Sequence, residues 1–140
     1  MSKRFALLIV ALSFLAACAG TQTRHDTNPA YSQHQYKSHD IDIAWKADKT
    51  DQGLRLTGTI SNPHYETTYQ AFELTVSLLD DSGKTIGQKI FSTDPGYFAG
   101  SQPLVLDIPI APSAQVRQVN FNYSYAIGDD HFTGNFKSLP

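Results

Sequence analysis

Two pairs of adjacent carboxylates are the side chains in this sequence with the most evident capacity for chemistry. Asp80-Asp81 and Asp129-Asp130 each lie in a segment of turn-forming residues. Neighbouring residues on a strand point to opposite faces, so neither pair makes a ready acid/base dyad. The spacing of an EF-hand calcium site is also absent. Hydrogen bonding of aspartate side chains within turns explains both pairs more simply, and we expect no catalytic carboxylates.

The five histidines are weak candidates for metal binding. His25, His34 and His39 lie in a polar segment, His64 lies in a predicted loop, and His131 lies beside a predicted hairpin turn. Their spacing matches no tight metal motif. The sequence also lacks a nucleophile elbow, a phosphate-binding glycine loop and paired histidines on a helix. We therefore expect a protein that is not an enzyme and that holds no metal or non-covalent cofactor.

The only cysteine, Cys18, ends an N-terminal segment with the layout of a secretory signal peptide. Lys3 and Arg4 form a short positive region, and the next ten residues, 5–14, are apolar apart from Ser13. This run is about half of the roughly 20 residues that a membrane-spanning helix needs. Residues 1–17 are therefore predicted to be a removable signal peptide rather than a transmembrane anchor.

The residues Leu15, Ala16 and Ala17 followed by Cys18 resemble the lipobox of bacterial lipoproteins. The resemblance implies that a diacylglycerol is attached to the Cys18 sulfur and that cleavage occurs just before this residue. One lipid chain binds a membrane marginally, whereas several chains hold firmly. Because Ala19 rather than aspartate follows, the resemblance further implies sorting to the outer membrane of a Gram-negative cell. The alternative is an ordinary signal peptide with an incidental cysteine.

The composition of the mature chain limits its possible partners. Residues 18–140 number 123, which suits one domain with a single core and a tether. Without Lys3 and Arg4, 9 basic residues remain against 13 acidic ones, a formal net charge of −4. We expect no nucleic-acid binding, because such proteins carry a basic patch. With Cys18 lipidated, no thiol remains for a disulfide or a thiolate metal site.

The segment that follows the cysteine is predicted to be a flexible tether. Residues 18–39 are polar and show no apolar periodicity. Such a segment cannot bury enough apolar surface to offset the entropy of ordering it. The folded domain is accordingly expected to span residues 40–140.

Apolar and polar residues alternate with period two through most of the domain. Seven segments show this pattern, at 41–47, 54–60, 72–78, 86–91, 104–110, 119–127 and 132–136. Turn-forming residues separate them, and no helical periodicity is present. The pattern predicts an all-β, seven-stranded antiparallel sandwich of immunoglobulin-like or fibronectin-III-like type, with a small closed barrel as the alternative. Pro109 indicates an edge strand or a strand end, and Asn122 and Ser124 are expected to point outward.

A resemblance to bacterial immunoglobulin-like domains of the FxLYD type supports this fold. Residues 58–63 have the sequence Gly-Thr-Ile-Ser-Asn-Pro, which is similar to the strand end of that family. Residues 76–80, Val-Ser-Leu-Leu-Asp, take the place of the Phe-x-Leu-Tyr-Asp motif before a turn. The resemblance covers residues 41–136 and implies an immunoglobulin-like domain. No catalytic residues follow from it, because the family has none established.

Four aromatic residues in predicted loops are the best candidates for a binding surface. Tyr65 and Tyr69 share one loop, and Tyr97 and Phe98 share a glycine-flanked loop. Aromatic side chains on loops of a rigid scaffold are common material for recognition sites. The alternative is that they cap the core, which is favoured for Tyr65 and Tyr69 and stays open for Tyr97 and Phe98.

Together these features predict a lipid-anchored bacterial envelope protein, associated with the outer membrane, that presents a non-catalytic sandwich to an envelope protein partner. The contact is expected through an edge strand or the loop of Tyr97 and Phe98. The alternative function is binding of a small carbohydrate or peptide ligand by the loop aromatics.

Overall fold

The alternating segments form strands throughout the domain. The computed structural model describes residues 33–93 and 95–140, and the strands within them are β1 His34–Lys37, β2 Asp42–Thr50, β3 Gly53–Ser61, β4 Gln70–Leu79, β5 Thr85–Ser92, β6 Ser101–Pro109, β7 Gln118–Ile127 and β8 Asp130–Ser138. Strands β2 to β8 correspond to the seven predicted segments. The described ranges contain no helix long and apolar enough to cross a membrane.

The strands build two antiparallel four-stranded sheets packed face to face. One sheet has the order β1-β2-β3-β6, and the other has the order β5-β4-β7-β8. The two sheets are separate, so the predicted immunoglobulin-like sandwich is confirmed and the closed barrel is not. Pro109 ends β6, an edge strand that pairs only with β3, as its missing N–H donor requires.

Strand β1 lies within the segment that was predicted to be a flexible tether. It pairs with the edge of β2, where His34 is opposite Trp45 and Lys37 is opposite Asp42. The Tyr36 ring stacks on Phe136 of the other sheet, with centroids 3.7 Å apart. The prediction of a tether up to residue 39 is therefore wrong for β1, because a contact with a residue 100 positions away orders it. The predicted signal peptide, the lipobox and Cys18 lie outside the described residues.

Side chains from the inner faces of both sheets fill the core. Trp45 is 1% exposed and packs against Phe121, with ring centroids 4.8 Å apart, so it occupies the position expected in the absence of a disulfide. The largest fully buried side chains are Trp45, Tyr69, Phe72, Phe98, Phe121, Ile41, Ile43, Leu56, Ile60, Leu74, Leu78 and Leu104. Each such side chain contributes about 1.5–3 kcal/mol of hydrophobic stabilisation.

Four connections meet at one end of the sandwich, which we call the loop end. They comprise residues 38–41, 62–69, 95–100 and 127–132, which join or flank β1–β2, β3–β4, β5–β6 and β7–β8. Successive strands run in opposite directions along the sandwich. The connections β1–β2, β3–β4, β5–β6 and β7–β8 therefore lie at one end, and the other connections lie at the opposite end. Strand β1 runs toward the loop end, so its first residue, His34, lies farther from that end than its last residue, Lys37.

Candidate functional site

The four predicted aromatic residues all lie at the loop end but have different environments. Tyr69 and Phe98 are completely buried and form a backbone bridge, with N–H···O distances of 2.9 and 2.8 Å. Tyr65 and Tyr97 are 61% and 55% exposed. Capping of the core is thus correct for Tyr69 and Phe98, whereas Tyr65, for which capping was favoured, faces solvent. Because Phe98 is buried, Tyr97 and Phe98 do not form a joint platform for a small ligand.

A buried asparagine fastens the two aromatic loops to each other. Asn62 is completely buried and its Nδ2 donates to the carbonyl of Thr67 at 2.7 Å and to that of Phe98 at 3.4 Å. Its Oδ1 accepts from the backbone N–H of His64 at 2.7 Å. Its own N–H donates to the carbonyl of Gly100 at 2.8 Å. With donors and acceptors satisfied, this side chain holds the loops in one conformation.

An irregularity at the start of β4 adjoins the same loops. Ala71 has a φ of 49°, a left-handed conformation that costs an alanine about 1–2 kcal/mol. The register of β4 on β7 shifts between Gln70 and Glu73, which marks a β-bulge. The next residue, Phe72, donates its N–H to the carbonyl of Gly96 at 3.2 Å. The bulge therefore directs the backbone of β4 toward the loop that carries Tyr97.

Asp40, in the β1–β2 turn, accepts hydrogen bonds from three tyrosines across the end of the core. Tyr123 and Tyr125 donate their phenol protons to Asp40, at O···O distances of 3.0 and 2.8 Å. Tyr69 donates to the backbone carbonyl of Asp40 at 2.8 Å and stacks on Tyr125, with ring centroids 4.0 Å apart. Burial, and next the interaction with Asp40, raises the pKa of the Tyr69 and Tyr125 phenols. Burial is also the largest cause of the raised pKa of Tyr123.

Ser38 gives the turn that carries this carboxylate its shape. The Ser38 hydroxyl accepts from the backbone N–H groups of Asp40 and Ile41, at 3.1 and 3.0 Å, and donates to the Ile41 carbonyl at 3.0 Å. These bonds replace ladder bonds that the chain cannot make between β1 and β2. The Asp40 carboxylate is thereby directed over β7.

Two histidines add to the surface at this end. The rings of His39 and His64 meet edge to face, with centroids 4.4 Å apart, and His64 lies 6.4 Å from the Tyr69 ring. In the described part of the chain, no group of three histidine, cysteine, aspartate or glutamate residues is placed to hold a metal ion. His39 is exposed and His64 is half-buried, so the two rings form part of the surface at this end.

The exposed part of the loop end is both apolar and acidic. Ile127 and Phe132 are 37% and 40% exposed, and the Phe132 ring stacks on the buried Tyr125, with centroids 5.1 Å apart. None of the residues of the loop end is lysine or arginine. Exposed carboxylates are present at Glu66, Asp129 and Asp130. Such a surface suits a ligand that is apolar and cationic.

The turn hydrogen bonds predicted for the two aspartate pairs are present at Asp80. Asp80 Oδ1 accepts from the backbone N–H of Ser82 and of Lys84, both at 2.9 Å, and from the Ser82 hydroxyl at 2.6 Å. The hydrogen bonds from Ser82, followed by the one from Lys84, hold the Asp80 pKa below its usual range. Asp129 lies at the tip of the β7–β8 hairpin and Asp130 pairs with Ile127. The turn interpretation is confirmed for Asp80.

Sequence reasoning did not identify Asp40 or Asn62 as organising residues. Asn62 is the asparagine of the Gly-Thr-Ile-Ser-Asn-Pro strand end, but the motif did not predict that it fastens two loops, and nothing in the local sequence distinguishes Asp40 from other polar residues at strand ends. Comparison with protein-family models, curated proteins and solved structures finds no match for this chain. Its function therefore has to be inferred from the loop end and the N-terminal sequence.

Proposed function

We propose that this chain is a lipid-anchored bacterial envelope protein that binds another envelope protein through the loop end of its sandwich and catalyses no reaction. The lipid anchor rests on the Leu15 to Cys18 sequence. The observation that carries the binding role is the exposure of Tyr65, Tyr97 and Phe132 on connections that Asn62 and Asp40 hold in place. Exposed aromatic side chains on a rigid base are typical anchors of protein interfaces.

The direction of β1 supports an orientation with the loop end away from the membrane. The N-terminal residue of β1, His34, lies on the side of β1 away from the loop end. Fourteen residues separate Cys18 from Gln33. The loop end also carries carboxylates without lysine or arginine, so an anionic lipid surface would repel it.

The charge of the loop end defines the partner surface that fits it. Aromatic and aliphatic side chains at the centre match an apolar surface on the partner, and the carboxylates of Glu66, Asp129 and Asp130 match basic residues around it. The partner is therefore a protein segment that combines apolar and basic side chains. Contacts of this kind are strongest at low salt, since the exposed charges are screened at higher ionic strength.

Site-specific photo-cross-linking in cells tests this proposal. A photoreactive residue replaces Tyr97 at the loop end or, as a matched control, Lys84 at the opposite end; both positions are exposed. We expect one envelope protein to be cross-linked from position 97 and not from position 84. The adduct should be lost with Cys18→Ser, which removes the anchor. The same adducts from both positions, or none from position 97, would contradict the proposal.

A further inference from the structure

The outer face of the β5-β4-β7-β8 sheet carries an array of amide and hydroxyl side chains that is almost free of charge. We call it the polar face. Cross-strand pairing sets its side chains in three rows, Ser92–Glu73–Ser124–Thr133, Ile90–Thr75–Asn122–Asn135 and Gln88–Ser77–Asn120–Lys137, of which Ser77 is buried and the others are exposed or half-buried. The predicted outward orientation of Asn122 and Ser124 is confirmed, since their neighbours Phe121, Tyr123 and Tyr125 are buried.

The polar face differs from the outer face of the other sheet. That face carries ion pairs between Lys46 and Asp48 at 3.0 Å and between Arg55 and Asp107 at 2.6 Å. On the polar face, Glu73 and Lys137 are the two charged residues of the three rows, and their formal charges cancel. A face that only meets water is normally kept soluble by several charges of both signs. The polar face therefore presents mainly neutral hydrogen-bonding groups and no ion pair between its own residues.

The amides of this face are available for a ligand. In the described part of the chain, the side chains of Asn120, Asn122 and Asn135 form no hydrogen bond with another protein group. A shallow hollow of about 320 Å³ lies over the second and first rows and is lined by Glu73, Thr75, Asn122, Tyr123, Ser124, Thr133, Gly134 and Asn135. Thr133 and Asn135 flank Gly134 in β8 and point outward over the hollow, whereas a Cβ at Gly134 would point toward the Tyr123 ring. Donors and acceptors thus converge on one accessible strip.

The size of the polar face argues against a second copy of the chain as its occupant. Four strands spaced about 4.8 Å apart and three rows spaced about 6.8 Å apart give the polar face an area of roughly 400 Å². A symmetric pair would bury roughly 800 Å² in total, below the about 1,200 Å² of specific dimers. A nucleic acid is also unsuitable, because Lys137 is the one cation in the rows. An uncharged polymer that lies along the strip meets neither objection.

We propose that the polar face binds an uncharged glycan strand that carries acetamido groups. Each asparagine side chain presents a donor and an acceptor side by side, which matches both the hydroxyl groups of a sugar and the amide of an N-acetyl group. Ile90, 51% exposed at the end of the middle row, offers apolar contact to an acetyl methyl group. The zero net charge of the rows matches the neutrality of such a strand. This inference goes beyond the proposed function, which concerns the loop end.

Titration with short oligosaccharides tests the inference. The full chain, purified in detergent micelles, is titrated with the tetramer of β-1,4-linked N-acetylglucosamine while the side-chain amide signals are followed by NMR. Individual hydrogen bonds to neutral groups are weak, so we expect a dissociation constant of about 0.1–10 mM. Signals of Asn120, Asn122 and Asn135 should move, and signals of the loop end should not.

Matched variants locate the site. In the double variant Asn122→Ala/Asn135→Ala, binding should weaken by about tenfold or more, because each lost hydrogen bond is worth about two- to tenfold. The control Gln35→Ala/Gln52→Ala removes two exposed amides elsewhere and should bind as the parent does. The glucose tetramer, which lacks acetamido groups, should bind several-fold more weakly.

Three results would overturn the inference: no shift at about 20 mM N-acetylglucosamine tetramer, equal loss of binding in the control variant, or equal binding of the glucose tetramer. The test is independent of the proposed function, because cross-linking from position 97 does not involve the polar face. A folded double variant, judged by an unchanged melting temperature, is expected since Asn122 and Asn135 are both exposed.

Discussion

Replacement of the Asp40 carboxylate is the sharpest test of how the loop end is held together. In Asp40→Ala, the phenols of Tyr123 and Tyr125 lose their acceptor, at 3.0 and 2.8 Å in the parent. Both tyrosines are buried, 4% and 5% exposed, and each unsatisfied hydroxyl costs about 1–3 kcal/mol. Some relaxation toward water is expected at this partly open turn, so the free energy of unfolding should fall by about 3 kcal/mol. For a domain of this size, that corresponds to a melting temperature lower by about 10–20 °C.

The assay is urea unfolding of the parent, of Asp40→Ala, of Tyr123→Phe/Tyr125→Phe and of the triple variant. The loss of stability in Asp40→Ala should come from the two tyrosine hydroxyls that are left without an acceptor. In the Tyr123→Phe/Tyr125→Phe background, which lacks both hydroxyls, Asp40→Ala should therefore lower the free energy of unfolding by at most about 1 kcal/mol. The bond from Tyr69 to the Asp40 backbone carbonyl is common to all four proteins. An equal loss in the two backgrounds would refute the reasoning and locate the effect in the turn itself.

Three further perturbations probe the same framework. Gly134→Val should lower the free energy of unfolding by about 3 kcal/mol in urea titrations, because a Cβ at this position would lie 2.2 Å from the Tyr123 ring and displace it. Asn62→Ala should cost about 3 kcal/mol and speed proteolysis within the aromatic loops, since it leaves buried loop groups without partners. Stability should stay level up to about pH 10, the unfolded tyrosine pKa, and fall above it, because the folded pKa values are raised. Between about pH 10 and 11.5, the urea midpoint of Tyr123→Phe/Tyr125→Phe should fall less than the urea midpoint of the parent protein.

Period-two alternation was sufficient to predict the sandwich because each strand buries one face. Residues 72–78 alternate so regularly that their place in β4, Gln70–Leu79, follows from the sequence alone. Strand β1 carries a weaker pattern, and its order depends on Tyr36 stacking against Phe136 in the opposite sheet. Contacts of such long sequence separation leave no local signal, so the predicted start of the domain was too late.

Loop residues were harder to predict for a related reason. Tyr97 and Phe98 are adjacent and chemically similar, yet one is 55% exposed and the other is buried. Their difference follows from the bridge between Phe98 and Tyr69, which is a tertiary contact between two loops. Composition therefore indicated which loops carry aromatic side chains, while packing decided which of those side chains face solvent.

The rigidity of the loop end bears directly on the function that we propose for it. A flexible aromatic loop loses conformational entropy when it binds, at about 0.5–1.5 kcal/mol for each side chain that becomes fixed. Here Asn62 ties two connections together, Asp40 ties a third to β7, and the bulge at Ala71 accepts backbone strain beside them. The strain at Ala71 lowers stability, and the buried polar bonds hold the loops in one conformation. Both are accounted for if the exposed side chains of Tyr97 and Phe132 have to be held in position for a partner before it arrives.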